Sequence, residues 1–174
     1  VYELNGATTF TQRGTVNVGS KLRGHWRSHN WTLDNKLLLT DLALVDVVKE
    51  WNGTTFQSVS FINGTSGASG VAFGTFYAKY LSISNERAIF SHIRDPGATV
   101  PHMMVGSTRG DYDTISASQR PASSLSEADP FFLLMPDLRP INGHVEAFGT
   151  TVLSTEKGRL FNLSGSSAKD FAFS

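Results

Sequence analysis

KLLLTDLALVDVVKEWNGTT, Lys36 to Thr55, decides how the rest of the chain is read. Asp41, Asp46, Lys49 and Glu50 interrupt the run too often for it to cross a membrane. Val45, Val47 and Val48, followed by Asn52-Gly53, favour an extended strand that stops at a tight turn. The competing reading is a helix, because Leu38, Leu42, Val45 and Trp51 fall near one helical stripe. The run is taken as one long strand through the middle of a sheet, with the other segments as its partners.

Working outward, the same alternation and turn chemistry recur. Val1 to Phe10 and Thr15 to Val18 read as short strands around Gln12-Arg13-Gly14. Lys21 to Thr32 has Leu22, Trp26 and Trp31 as apolar anchors, with Arg23, His25, Arg27 and His29 on the parity opposite Leu22 and Trp26, a cationic ladder beside indole rings. Thr54 to Ile62 follows the turn. Val71 to Ile83 is a second long strand whose aromatics on both parities imply two covered faces, and Gly74 inside it marks a bulge or close approach. Arg87 to Ile93 and Val100 to Val105 are shorter strands. Gly106 to Asp129 is polar and reads as a long surface loop. Pro130 to Met135 reads as a fully buried strand, His144 to Leu153 and Gly158 to Leu163 close the series, and 164–174 is a polar tail. About eight to ten strands without a confident helix give an all-β sandwich or barrel in a single domain, 1–174.

Composition narrows the function classes. The chain carries 15 basic and 15 acidic residues, only 17% charged against 40% hydrophobic, so it offers no strong field to RNA or to an anionic membrane. Without cysteine there is no disulfide and no thiolate chemistry, which suits a reducing cytosol. A first residue of Val is expected of a processed product, and no signal peptide or membrane span is visible. Four N-x-S/T triplets, at Asn30, Asn52, Asn63 and Asn162, read as unused sequons in a Ser/Thr-rich chain.

No constellation reads as a reaction centre, and the expectation is a non-enzyme without cofactor. His25 and His29 with His102 could form a metal set, but Arg23 and Arg27 oppose a dication there. Pro96-Gly97 with His102 has the wrong spacing for a cupin signature. Asp111, Asp113, Glu127 and Asp129 lie where solvated acids belong, and there is no G-x-S-x-G elbow. Arg109-Gly110-Asp111 is an RGD tripeptide on the long loop, read as an exposed, solvated turn.

Three blocks carry a family likeness. Val1-Tyr2-Glu3-Leu4-Asn5, Leu22-Arg23-Gly24-His25 and Val47-Val48-Lys49-Glu50-Trp51-Asn52-Gly53-Thr54-Thr55 resemble, in that order, the middle jelly-roll domain of coat proteins of plant picorna-like viruses, the secoviruses of nepovirus and cheravirus type. Phe131 to Met135, through Asn142-Gly143 to Val145–Leu153, is similar to the last two strands of such a domain. The resemblance implies an eight-stranded antiparallel jelly-roll β-sandwich, cut from a polyprotein in the host cell cytoplasm. Its role would be a structural subunit of an icosahedral, pseudo T=3 virion. Its partners would be other coat chains of the same virus and, indirectly, the genomic RNA, with no membrane. Lys21, Arg23 and Arg27 are then the candidate RNA or subunit contacts, and Leu163, Phe171 and Phe173 in or beside the tail would dock on neighbours. The alternative is a secreted β-sandwich or calycin-like barrel that binds a carbohydrate or small ligand, with Trp26, Trp31 and Trp51 as stacking candidates.

Overall fold

The structure, a computed structural model, describes residues 2–5, 9–12, 26–64, 71–94, 98–116, 118–147 and 150–174. These residues are all-β, without a helix, so none is long and apolar enough to cross a membrane. Strands β1 (Tyr2–Asn5) and β2 (Thr9–Gln12) form a hairpin. The expected strand Thr15 to Val18 lies outside the described residues.

The central run is two strands rather than one. β4 (Lys36–Asp41) pairs antiparallel with β3 (Trp26–Trp31) on one side and with β5 (Lys49–Trp51) on the other, so the chain reverses between residues 42 and 48. Asp41 causes the reversal: its buried carboxylate accepts the backbone N–H groups of Ala43, Val45 and Asp46 at 2.8, 2.9 and 3.0 Å. Leu44, at φ 54°, completes the bend. An acceptor satisfying three consecutive-region donors outweighs the strand propensity of the valines that follow. The Asn52-Gly53 turn forms as expected: Asn52 accepts from Thr54 and Thr55 N–H, Gly53 sits at φ 89°, and β6 (Phe56–Ser58) pairs back onto β5.

The second expected long strand is also divided. Gly74, at φ 94°, ends β8 (Val71–Gly74) opposite a register shift in β7 (Phe61–Asn63), and β9 (Tyr77–Ser84) continues into a different sheet. β9, β10 (Arg87–Arg94), β11 (Thr99–Gly106) and β13 (Phe131–Leu134) form an antiparallel sheet in the order β13-β11-β10-β9. Every residue of β10 but the last is buried, which requires cover on both faces. Pro101, which has no N–H to give the ladder, lies where β11 slips register against β10, and His92 opposite adopts φ 55°. β13, expected to be fully buried, is an edge strand with only Phe131 buried.

Alternate residues of this sheet feed two cores. Ala88, Phe90, Met103 and Val105 meet Trp31, Leu38, Phe61 and Phe76, whereas Ile89 and Met104 meet Phe131, Ile141, Leu153 and Phe171. In the first core Phe61, Phe76 and Phe90 pack at centroid separations of 4.3, 5.5 and 5.2 Å, two of the three contacts edge-to-face. Such pairs add about 0.5–1.5 kcal/mol each beyond burial. The second core is closed by β14 (Ile141–Ala147), β15 (Thr150–Thr155), β16 (Leu160–Ser164) and β17 (Ala172–Phe173), paired in that order.

Two expectations about the surface change here. Within Gly106 to Asp129, Tyr112 and Ile115 enter the first core, and β12 (Thr114–Ile115) pairs parallel with β7. Arg87 is fully buried and donates to the carbonyls of Ser107, Glu127, Ala128 and Asp129, tying both ends of that segment to β10. At the tail, Leu163 and Phe171 are buried in this chain's own second core, and Phe171 stacks on Phe131 at 4.5 Å. These two side chains are not a surplus waiting for a neighbouring subunit.

Candidate functional site

Of the sequence candidates for RNA or subunit contact, Lys21 and Arg23 lie outside the described residues. Arg27 is exposed on β3, with its guanidinium over the Tyr80 ring at 5.7 Å. His25 is likewise undescribed. His29 is half-buried and its pKa is lowered, by burial first and then by Arg27, against the opposing pull of Glu146. Among the described residues no three His, Asp or Glu side chains converge as a metal site.

The RGD turn is engaged within the chain. Arg109 Nε pairs with Glu86 at 2.7 Å, Gly110 at φ 80° donates its N–H to the Glu86 carbonyl, and Asp111 accepts from Thr114 Oγ1 at 2.8 Å. Both charged side chains already have partners, which leaves less for an external receptor than a free loop tip would. Next to it, burial and the Asp111 carboxyl raise the pKa of Asp113 to about 6.

Two buried polar clusters were not foreseen, because neither has a spacing signature. His144 bridges the central and last sheets, with Nε2 2.7 Å from Ser82 Oγ and Nδ1 2.7 Å from Ser91 Oγ. With both ring nitrogens used by hydroxyls and only 4% exposure, it is a rivet between layers rather than a general base. In the other cluster, Glu50 accepts from Tyr112 OH and from Gln57 Nε2, and Lys36 Nζ lies 3.5 Å from Glu50 while donating to Tyr112 OH. Trp31, 5.7 Å from the Tyr112 ring, covers it.

Above that cluster the surface opens. The turn 32–35 between β3 and β4 stands between two clefts of about 400 Å³ each, which share Trp31 and Thr32 as walls. One continues to Asn30, Asn35, Lys36, Leu37, Trp51 and Gly53. The other continues past Leu33, which is 54% exposed, to Asn85, Glu86 and Glu146. Register explains the first. Asn30, Leu37, Trp51 and Phe56 are cross-strand neighbours in one row, and their alternation with the buried Trp31, Leu38 and Glu50 sets them on the outward face. Of the three tryptophans singled out from sequence, Trp31 and Trp51 meet at this cleft, and Trp26 stands farther along the same strand as Trp31. In the polar lining, Asn30 and Thr32 were marked in the sequence only as an unused sequon, and Asn35 carried no signal.

The cleft's electrostatics are balanced. Lys36 is the charged residue in its lining, and its ammonium is already matched by the Glu50 carboxylate. Indole, amide and hydroxyl groups therefore set its chemistry. No protein-family model, curated protein or solved structure matches this chain.

Proposed function

We propose that this chain is a structural subunit of an icosahedral, pseudo T=3 plant-virus shell, an eight-stranded jelly-roll β-sandwich that packs against other coat chains around genomic RNA. The reading rests on the ordered blocks of sequence resemblance and on an all-β body of antiparallel sheets. The Glu50-Trp51-Asn52-Gly53-Thr54-Thr55 block falls in the β5–β6 hairpin, and the blocks near the other end fall in β13, β14 and β15.

The observation that carries it is the outer face of the last sheet. Val145 opposes Val152 there, Asn162 comes next in that row, and Leu160 stands on the same face of β16 opposite Ser154; Val145 and Leu160 are 55% and 70% exposed. Exposed aliphatic side chains on one face of a chain with this little charge are what a neighbouring subunit would cover. Its location would be the virion and the host cell cytoplasm. Lys21, Arg23 and Arg27 remain the candidates for contact with RNA or an acidic neighbour.

Native material should run as megadalton particles containing other coat chains, visible by size exclusion and negative-stain microscopy. An 18.9 kDa monomer carrying glycan at Asn52 or Asn63 would overturn the reading, since a cytoplasmic virion does not meet the glycosylation machinery.

A further inference from the structure

We infer that the cleft between the 32–35 turn and the β5–β6 hairpin is a binding site for a neutral pyranose sugar. Three features converge on that ligand class. Trp51 is half-buried at the cleft wall, so part of its indole is available; the apolar C–H face of a pyranose stacks on such a ring. Asn30, Thr32 and Asn35 are exposed in the same lining, and their side chains make no hydrogen bond to the described residues. Amides and hydroxyls both donate and accept, as the hydroxyl rim of a sugar requires. A volume of about 400 Å³ lies within the ~300–1,000 Å³ of small-ligand sites.

The pairing of Lys36 with Glu50 disfavours the commonest competitor, an anion. An anion would be drawn by Lys36, but that ammonium is neutralised by Glu50 at 3.5 Å and tied to Tyr112. Recruiting it would leave Glu50, 5% exposed, without its cation. A polyhydroxyl ligand leaves the cluster intact. The walls are also set by backbone geometry, with Asn35 at φ 52° and Gly53 at φ 89° fixing the two turns. This inference is independent of the shell reading, because one copy of the chain holds the whole lining.

The test is saturation-transfer NMR together with tryptophan fluorescence. The purified chain is titrated to millimolar concentrations with the methyl glycosides of glucose, galactose, mannose and N-acetylglucosamine. At least one glycoside should receive transfer, strongest on the C–H protons of one ring face, and should shift the tryptophan emission. Trp51→Ala should weaken binding about tenfold, the scale of one lost aromatic stack. Asn30→Ala, at an exposed position of β3 with ordinary strand backbone, should weaken it without altering the circular dichroism, which keeps the test sound if the Trp51 variant misfolds. Trp26→Ala should bind as the parent does. No transfer to any of the four glycosides would overturn the inference. So would binding unchanged in both cleft variants, or inorganic phosphate competing with the sugar.

Discussion

Tyr112 donates its phenolic O–H to the buried carboxylate of Glu50, 62 residues earlier, and so fastens the segment after β11 to the inner face of the first sheet. Lys36 donates to the same hydroxyl and lies 3.5 Å from the Glu50 carboxylate that matches its charge, so the three side chains form one cluster at the cleft.

Tyr112→Phe keeps the ring in the first core but removes the donor. The variant should lose about 1.5–3 kcal/mol, the range for a hydrogen bond to a charged group, read from the urea midpoint at constant slope. A pH dependence follows. Burial first, and then Glu50, push the Tyr112 pKa well above the ordinary tyrosine value near 10. A raised pKa means that its stabilisation is whole below about pH 10 and is lost as pH climbs beyond that. The parent should therefore soften in strong alkali more steeply than Tyr112→Phe, measured by thermal melts across that range.

Arg87 holds 107 and 127–129 through their carbonyls alone, and its guanidinium also lies 5.7 Å from Phe131 and 5.8 Å from Phe171. A lysine cannot reproduce a fork that reaches four acceptors. Arg87→Lys should cost about 2–4 kcal/mol. The accompanying sign is local: the exposed stretch 122–124 should become open to limited proteolysis before the cores unfold.

These anchors mark where the sequence was legible and where it was not. Asn52-Gly53 announces its hairpin, Gly74 its break, and the aromatics of β9 and the unbroken burial of β10 agree with a sheet covered on both sides, because each is a local rule of backbone or alternation. Asp41 looks in sequence like an ordinary charge within an apolar run. It ends the strand only because three N–H groups converge on it in space. Tyr112 and Ile115 are hidden in a polar stretch for the same reason, since their partners come from β3, β5 and β7. At the cleft, Trp31 and Trp51 were nameable as rings, but the register that aligns Trp51 with Asn30 depends on two strand pairings, one made by the 32–35 turn and the other by the Asp41 reversal.

His144 makes the domain sensitive to acid. Burial, followed by the charges of His29 and Arg27, pushes its pKa down to about 3. An unfolded histidine takes its proton near 6.5, so the stabilisation is whole above that pH and is lost as pH falls from 6.5 toward 3. The slope is about 1.4 kcal/mol per pH unit within that window. His92, lowered chiefly by burial, acts in the same sense. His144→Gln keeps one donor and one acceptor for Ser82 and Ser91 but does not titrate. Urea midpoints at pH 7, 5 and 4 should fall less in that variant than in the parent, and parallel losses would show that His144 is not the acid-sensitive group.

Gly106 ends β11 between Ile89 of β10 and Phe131 of β13, and its missing side chain is what lets the Phe131 ring lie flat there. A Cβ at this position would meet Phe131 Cε1 at 2.5 Å and Cζ at 2.6 Å. The ring cannot retreat freely, because Phe171 is stacked on it and the Arg87 guanidinium lies 5.7 Å away. Gly106→Ala should therefore cost about 1–3 kcal/mol as overpacking. The control is Gly53→Ala: its Cβ would enter open space, so what it loses comes from the left-handed turn and not from the core. Near-UV circular dichroism separates the two. The aromatic signal should change in Gly106→Ala, where the Phe131–Phe171 stack is forced apart, and an unchanged signal would mean that β13 shifts as a rigid edge instead.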